Sequence, residues 1–175
     1  MRTVAMDAES KGENVLKELG FDFQTFTIEN FIHFVSEAKG REIITIPWDT
    51  PVALFGAWMS DGEEPKEYIL FRRNAPLIHQ IHIQLHEISH FLLGHPTLKI
   101  TRKLIAEVVA NKASFPFEEV ARLRSTEKDV LEEEAETLAD LIQKRVIQHS
   151  QLEQLTRFSS EEKLSDFLRT LGINS

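Results

Sequence analysis

Residues 77–95 read LIHQIHIQLHEISHFLLGH. Ile81, Leu85, Ile88 and Leu92 recur at spacings of four, three and four, the period of an α-helix that buries one face. On the other side lies HEISH, residues 86–90, which fits the H-E-x-x-H pattern. Helical positions i and i+4 are about 40° apart, so His86 and His90 project together and both imidazoles can reach one metal ion. Glu87 lies about 100° round from His86, which sets a carboxylate beside such an ion, where it can hold and deprotonate a water. A helix with apolar packing behind and two imidazoles in front is what a buried metal site requires.

The other histidines of this stretch are weaker candidates. His82 and His86 share the i, i+4 spacing, but Ile83 stands where the carboxylate would have to be. His79 and His82 are therefore read as solvated or supporting side chains. A catalytic zinc usually takes three protein ligands and keeps a fourth position for water, so His86 and His90 need a partner. His95 follows His90 by five residues, whereas the metzincin spacing is six. Gly94-His95-Pro96 reads instead as the end of the helix.

A better third ligand lies in LEEEAETLAD, residues 131–140, on a second helix expected over 128–149 behind a capping box at Thr126 and Asp129. Most of this acidic run reads as a solvated face, including Glu133 and Glu134. Glu132, however, shares a narrow stripe with Ala135 and Ala139. Small side chains let two helices approach to about 8 Å, near enough for a carboxylate on one to join two imidazoles on the other. Glu136, one turn on, suits the orientation of a ligand histidine through its second ring nitrogen. Between Glu132 and Glu136 the spacing leaves the third ligand open.

Outward from these helices the pattern is mixed. Residues 8–19 and 28–39 read as helices, the second capped by Thr27 and carrying Ile28, Phe31, Ile32 and Val35 on one stripe. REIITIPW (41–48), VALFGAWMS (52–60) and KEYILFR (66–72) read as strands, the last two joined as a hairpin by DGEEP. Short helices are expected over 104–113, 117–124 and 161–171. With 175 residues and no linker-like tract, one domain is expected over 1–175, with a core over about 10–148 and a helical extension over 150–175. The formal net charge of −8 and the lack of a basic patch argue against nucleic-acid binding. No apolar run is long enough to span a bilayer. Cysteine is absent, and MRTVAMDAESKGENVLKEL at the start has no apolar h-region, so a cytoplasmic protein is expected.

HEISHFLLGH followed by EEEAETLAD resembles the ImmA/IrrE family of bacterial metallopeptidases, whose pattern is HE-[IL]-[GS]-H and then E-x-x-A-N-x-[FL]-A on the next major helix. His86, Glu87 and His90 match the zinc-binding and catalytic motif, and Glu132 falls on the third ligand. Ala135, Leu138 and Ala139 match the packing positions, while Glu136 replaces the usual asparagine. The resemblance implies a gluzincin-type endopeptidase acting on a protein, with a helix-turn-helix repressor as a candidate substrate in bacterial or phage regulation. The expected fold is α+β: a small antiparallel sheet of about three strands packed against a mostly helical, zincin-like domain, with the motif on its central helix. In the expected reaction His86, His90 and Glu132 hold Zn²⁺ (Mn²⁺ or Fe²⁺ as alternatives), and Glu87 is the general base. Tyr68 and His149 are weaker candidates for an additional electrophile. The strand around 68–71 is a candidate edge for substrate addition, and 96–125 for a lid. The rival reading is a non-catalytic metal-binding or docking module of a regulatory or toxin-antitoxin-like system.

Overall fold

The structure, a computed structural model, describes residues 2–49, 55–110 and 128–158, with side chains described over 7–49, 55–110 and 129–150. The expected helices at 117–124 and 161–171, the cap at Thr126, most of the C-terminal extension and part of the suggested lid lie outside the described residues. Helix α1 spans Arg2–Leu19, α2 Ile28–Lys39, α3 Leu77–Leu93, α4 Arg102–Val109 and α5 Lys128–Phe158. Strands β1 (Glu42–Trp48), β2 (Gly56–Asp61), β3 (Lys66–Arg72) and β4 (Leu98–Ile100) complete an α+β architecture.

The sheet is mixed and four-stranded, in the order β1-β3-β2-β4. This corrects the expectation of about three antiparallel strands. The hairpin of β2 and β3 is antiparallel as expected, pairing Gly56 with Phe71 and Ser60 with Glu67. But β3 inserts between β2 and β1, and pairs with β1 in parallel from Glu42↔Lys66 to Trp48↔Arg72. The chain leaving β1 needs only to cross one strand position, roughly 10 Å, before β2 begins. Sequential strands therefore need not be neighbours. β4 adds to β2 in parallel, matching Met59 with Leu98 and Asp61 with Ile100. Three residues held between Thr97 and the Thr101 cap of α4 carry too short a pattern to be read as a strand.

β3, paired on both edges, is also covered on both faces, and Glu67 to Phe71 are all buried. Side chains alternate between two cores. Ile43, Trp58 and Ile69 point to one core with Leu16 of α1, Phe31 and Val35 of α2, Leu85, Ile88 and Leu92 of α3, and Leu138, Leu141 and Ile142 of α5. Trp48, Ala57, Met59, Tyr68 and Leu70 point to the other, closed by Ile100 of β4 and by Ile105 and Val108 of α4. The predicted stripe of α3 thus lies on the sheet, and its opposite side is left to face α5. No helix among the described residues is long and apolar enough to cross a membrane.

Candidate metal centre

α3 and α5 lie side by side and run in opposite directions, as their cross-contacts show. His90 and His86 face Glu132, and His86 and His82 face Glu136. Ala135 and Ala139 are fully buried, as a small-residue stripe at a close helix contact would be. His86 Nε2 and His90 Nε2 are 3.1 Å apart, and Glu132 Oε2 is 3.2 Å from the first and 3.7 Å from the second. A tetrahedral zinc with bonds of about 2.0–2.1 Å has ligand–ligand edges of about 3.3 Å. The three atoms therefore form one face of a tetrahedron of the right size, and the residues fit a zinc ion.

The remaining ring nitrogens decide which tautomers are present. His86 Nδ1 is 2.9 Å from Glu136 Oε2, so it must be the N–H that donates to that carboxylate. His95 Nε2 is 3.0 Å from Glu134 Oε2 and donates there in the same way. A neutral His95 then presents a bare Nδ1, 2.8 Å from His90 Nδ1, which must donate to it. Both Nε2 atoms of the pair are left as lone pairs, converging on each other beside a carboxylate oxygen. Three electron-rich atoms so close require positive charge between them, supplied by a cation or a proton. The titration of His86 reflects the same demand: burial opposes its charge, but Glu132, Glu87 and Glu136 outweigh burial and raise its pKa.

The two oxygens of Glu136 both face α3, but the one near His86 lies at Nδ1, on the side away from the Nε2 pair. Of the two candidate third ligands, Glu132 is the one that joins the His86–His90 face, and Glu136 orients His86 from behind. Glu87 is buried beside them. A Cβ built on Gly56 of β2 would lie 3.0 Å from Glu87 Oε1 and 2.5 Å from Ile83 Cγ2. Only glycine fits against Ile83 here, a Cβ would also crowd the Glu87 carboxylate, and the bare string FGA gave no hint of it.

Two side chains set aside on sequence grounds belong to this centre. Gly94 adopts the left-handed conformation, φ 71°, and the amides of Gly94 and His95 bond back to Phe91 O and His90 O. This Schellman turn ends the helix as expected, and it also folds the His95 ring under His90. Glu134, expected to be solvated, is instead half-buried between His95 and Lys11 of α1, whose Nζ is 2.6 Å from Glu134 Oε2. Burial would raise the Glu134 carboxyl, but Lys11 and His95 together hold it low. Burial pushes the His95 pKa down, and this outweighs the pull of Glu134, which keeps the ring neutral.

The other candidates sit elsewhere. Tyr68 points into the core on the far face of the sheet and donates to Asp61 Oδ2 at 2.9 Å. His149 stacks on Phe23, with ring centroids 6.4 Å apart, roughly 25 Å along α5 from Glu132. β3 has partners on both edges, so residues 68–71 have no edge on which to take up a substrate strand. His79 is exposed. No protein-family model matches the chain, and no curated protein or solved structure matches it significantly.

Proposed function

We propose that the protein is a zinc-dependent endopeptidase of the ImmA/IrrE type, with a zincin-like active helix, and that it cleaves another protein, a helix-turn-helix repressor being the favoured substrate class. The observation that carries this reading is the convergence of His86 Nε2, His90 Nε2 and Glu132 Oε2 at tetrahedral spacing, with Glu87 beside them. A structural site needs no such extra carboxylate. When bound, zinc supplies a Lewis acid that polarises a carbonyl and acidifies water. Glu87 takes the proton from the attacking water and delivers it to the departing amine. Gly56 gives its carboxylate room, Glu136 and His95 fix the two imidazoles, and Glu134 fixes His95.

Elemental analysis of untagged protein should find zinc, and Glu132→Gln should lose the equivalent held with His86 and His90. Glu87→Gln should keep the metal while cleavage of a peptide library falls by about 10²–10⁴-fold. Zinc retained with no cleavage by the wild type, over a broad peptide set and co-expressed repressors, would favour the docking module. No metal uptake at all would remove the peptidase and bring a metal-free docking protein to the front.

A further inference from the structure

The α3–α5 seam does not stop at the first three ligands. His82, His86 and His90 follow one another at i, i+4 and i+8 on α3, and Glu132, Glu136 and Asp140 do the same on α5. The helices run in opposite directions, so the two rows meet rung by rung. At the far end, a ring nitrogen of His82 and one oxygen each from Glu136 and Asp140 lie within 4.8 Å of one another. We propose that these three residues form a second binding site, for a divalent transition cation such as Zn²⁺ or Co²⁺.

Several features point to a ligand rather than to a solvated acidic face. The set is mixed, one imidazole with two carboxylates, and its members come from two different helices. His82 is held on its other nitrogen: the Gln143 side-chain amide is 2.6 Å from His82 Nδ1. As placed, Gln143 Nε2 donates to that nitrogen. Either orientation of the amide fixes the ring; with its oxygen turned to Nδ1, the Nε2 lone pair, 3.3 Å from Glu136 Oε1, would face the carboxylates, and the ring would be held from outside a metal. Asp140 has no hydrogen bond or ion pair among the described residues, although it sits one turn from Glu136. Like charges at that spacing repel, and a shared cation relieves both. Carboxylate and imidazole donors suit borderline divalent ions, and the partial exposure of His82 and Glu136 lets water complete the shell.

Glu136 belongs to both ends of the ladder, since one oxygen holds His86 and the other faces His82. A cation at the second site draws charge from the carboxylate that orients a ligand of the first, so the two sites are coupled. The site itself requires no catalysis and stands apart from the peptidase reading.

The test is calorimetric titration of metal-free, full-length protein with Zn²⁺, repeated with Co²⁺ to follow the ligand-field spectrum. Two equivalents should bind with distinct affinities. Asp140→Asn and His82→Ala should each weaken the second by at least about tenfold with a smaller effect on the first, whereas His90→Ala should abolish the tighter one and leave the other. Asp140 and His82 are at the surface, and Asp140→Asn keeps the side-chain shape, so that variant retains the fold. Binding in the wild type with no equivalent that depends on Asp140 and His82, or a second equivalent that survives both Asp140→Asn and His82→Ala unchanged, would overturn the proposal. Failure of the first site alone would show as loss of the equivalent that depends on His90, leaving the one that depends on Asp140.

Discussion

Glu67 on β3 and Glu132 on α5 are both carboxylates set against the α3 layer, yet their surroundings are built on opposite plans. Glu67 is 1% exposed, and the chain closes it with its own donors. Arg41 pairs with one oxygen, while Trp58 Nε1 donates to the other at 2.6 Å and Ser60 Oγ at 2.5 Å. Around Glu132 the nearest polar atoms include two imidazole nitrogens whose protons have been drawn off to their far sides by Glu136 and His95. One cluster answers a buried negative charge with N–H and O–H groups, and the other gathers lone pairs. The first is complete within the chain and serves the fold. The second has a polarity that a bound cation, or a proton on His86, satisfies.

The contrast can be broken most forcefully by removing the metal. Chelation of zinc-loaded protein should cost about 4 kcal/mol at a ligand concentration a thousandfold above Kd, read as a fall in Tm. His90→Ala, left with only the weaker site at His82, Glu136 and Asp140, should respond far less to the chelator. A wild-type Tm that ignores the chelator would put the two clusters in the same class. The converse experiment is Glu67→Ala, which strands Arg41, Trp58 and Ser60. It should cost about 3 kcal/mol in denaturant unfolding with zinc stoichiometry unchanged. Loss of metal in the folded variant would mean that the clusters are not independent.

A smaller effect sharpens the account of the histidine pair. His95→Ala removes the acceptor that draws the proton of His90 to Nδ1. Zinc affinity should fall about 10–100-fold, or roughly 1.4–2.8 kcal/mol, while the stoichiometry at saturation stays the same. An unchanged affinity would make His95 a helix terminator only. The smallest effect lies on the far face of the sheet, where burial and then the hydrogen bond to Asp61 raise the pKa of Tyr68 to about 12. The folded state therefore favours the protonated phenol. That stabilisation is complete below the unfolded value of 10.0 and is lost as pH rises through about 12. Tyr68→Phe should flatten the alkaline decline seen by denaturant unfolding between pH 9 and 11.5, and leave zinc binding as it was.

How much of this was readable before folding depends on the residue. His86 and His90 were legible because i, i+4 spacing places two side chains together on any helix. The approach of α5 was legible from Ala135 and Ala139, which have no bulk to hold a neighbour away. The role of His95 was not, because it depends on a turn after the helix that swings the ring back under His90. Nor was that of Glu134, whose partner Lys11 is 123 residues away in sequence. The acidic run around it reads as a solvated face until α1 is laid beside it. The sheet order failed for a related reason: strand patterns tell which face of a strand is buried, and β1, β2 and β3 carry the same signal in any order.

What the sequence determined by itself, then, was whatever is periodic: the helices, the buried stripe of α3, the two imidazoles on its other side and the carboxylates in step on α5. Within one helix, position along the chain and position in space are the same fact, set by the backbone hydrogen-bond repeat. Tertiary structure alone decided which element met which. It chose Glu132 over Glu136 for the histidine face, placed β3 between β1 and β2, opened a space at Gly56 for Glu87, and brought Lys11, Glu134 and His95 into one chain behind His90. Those choices come from the joint packing of two cores, a property that no local repeat encodes.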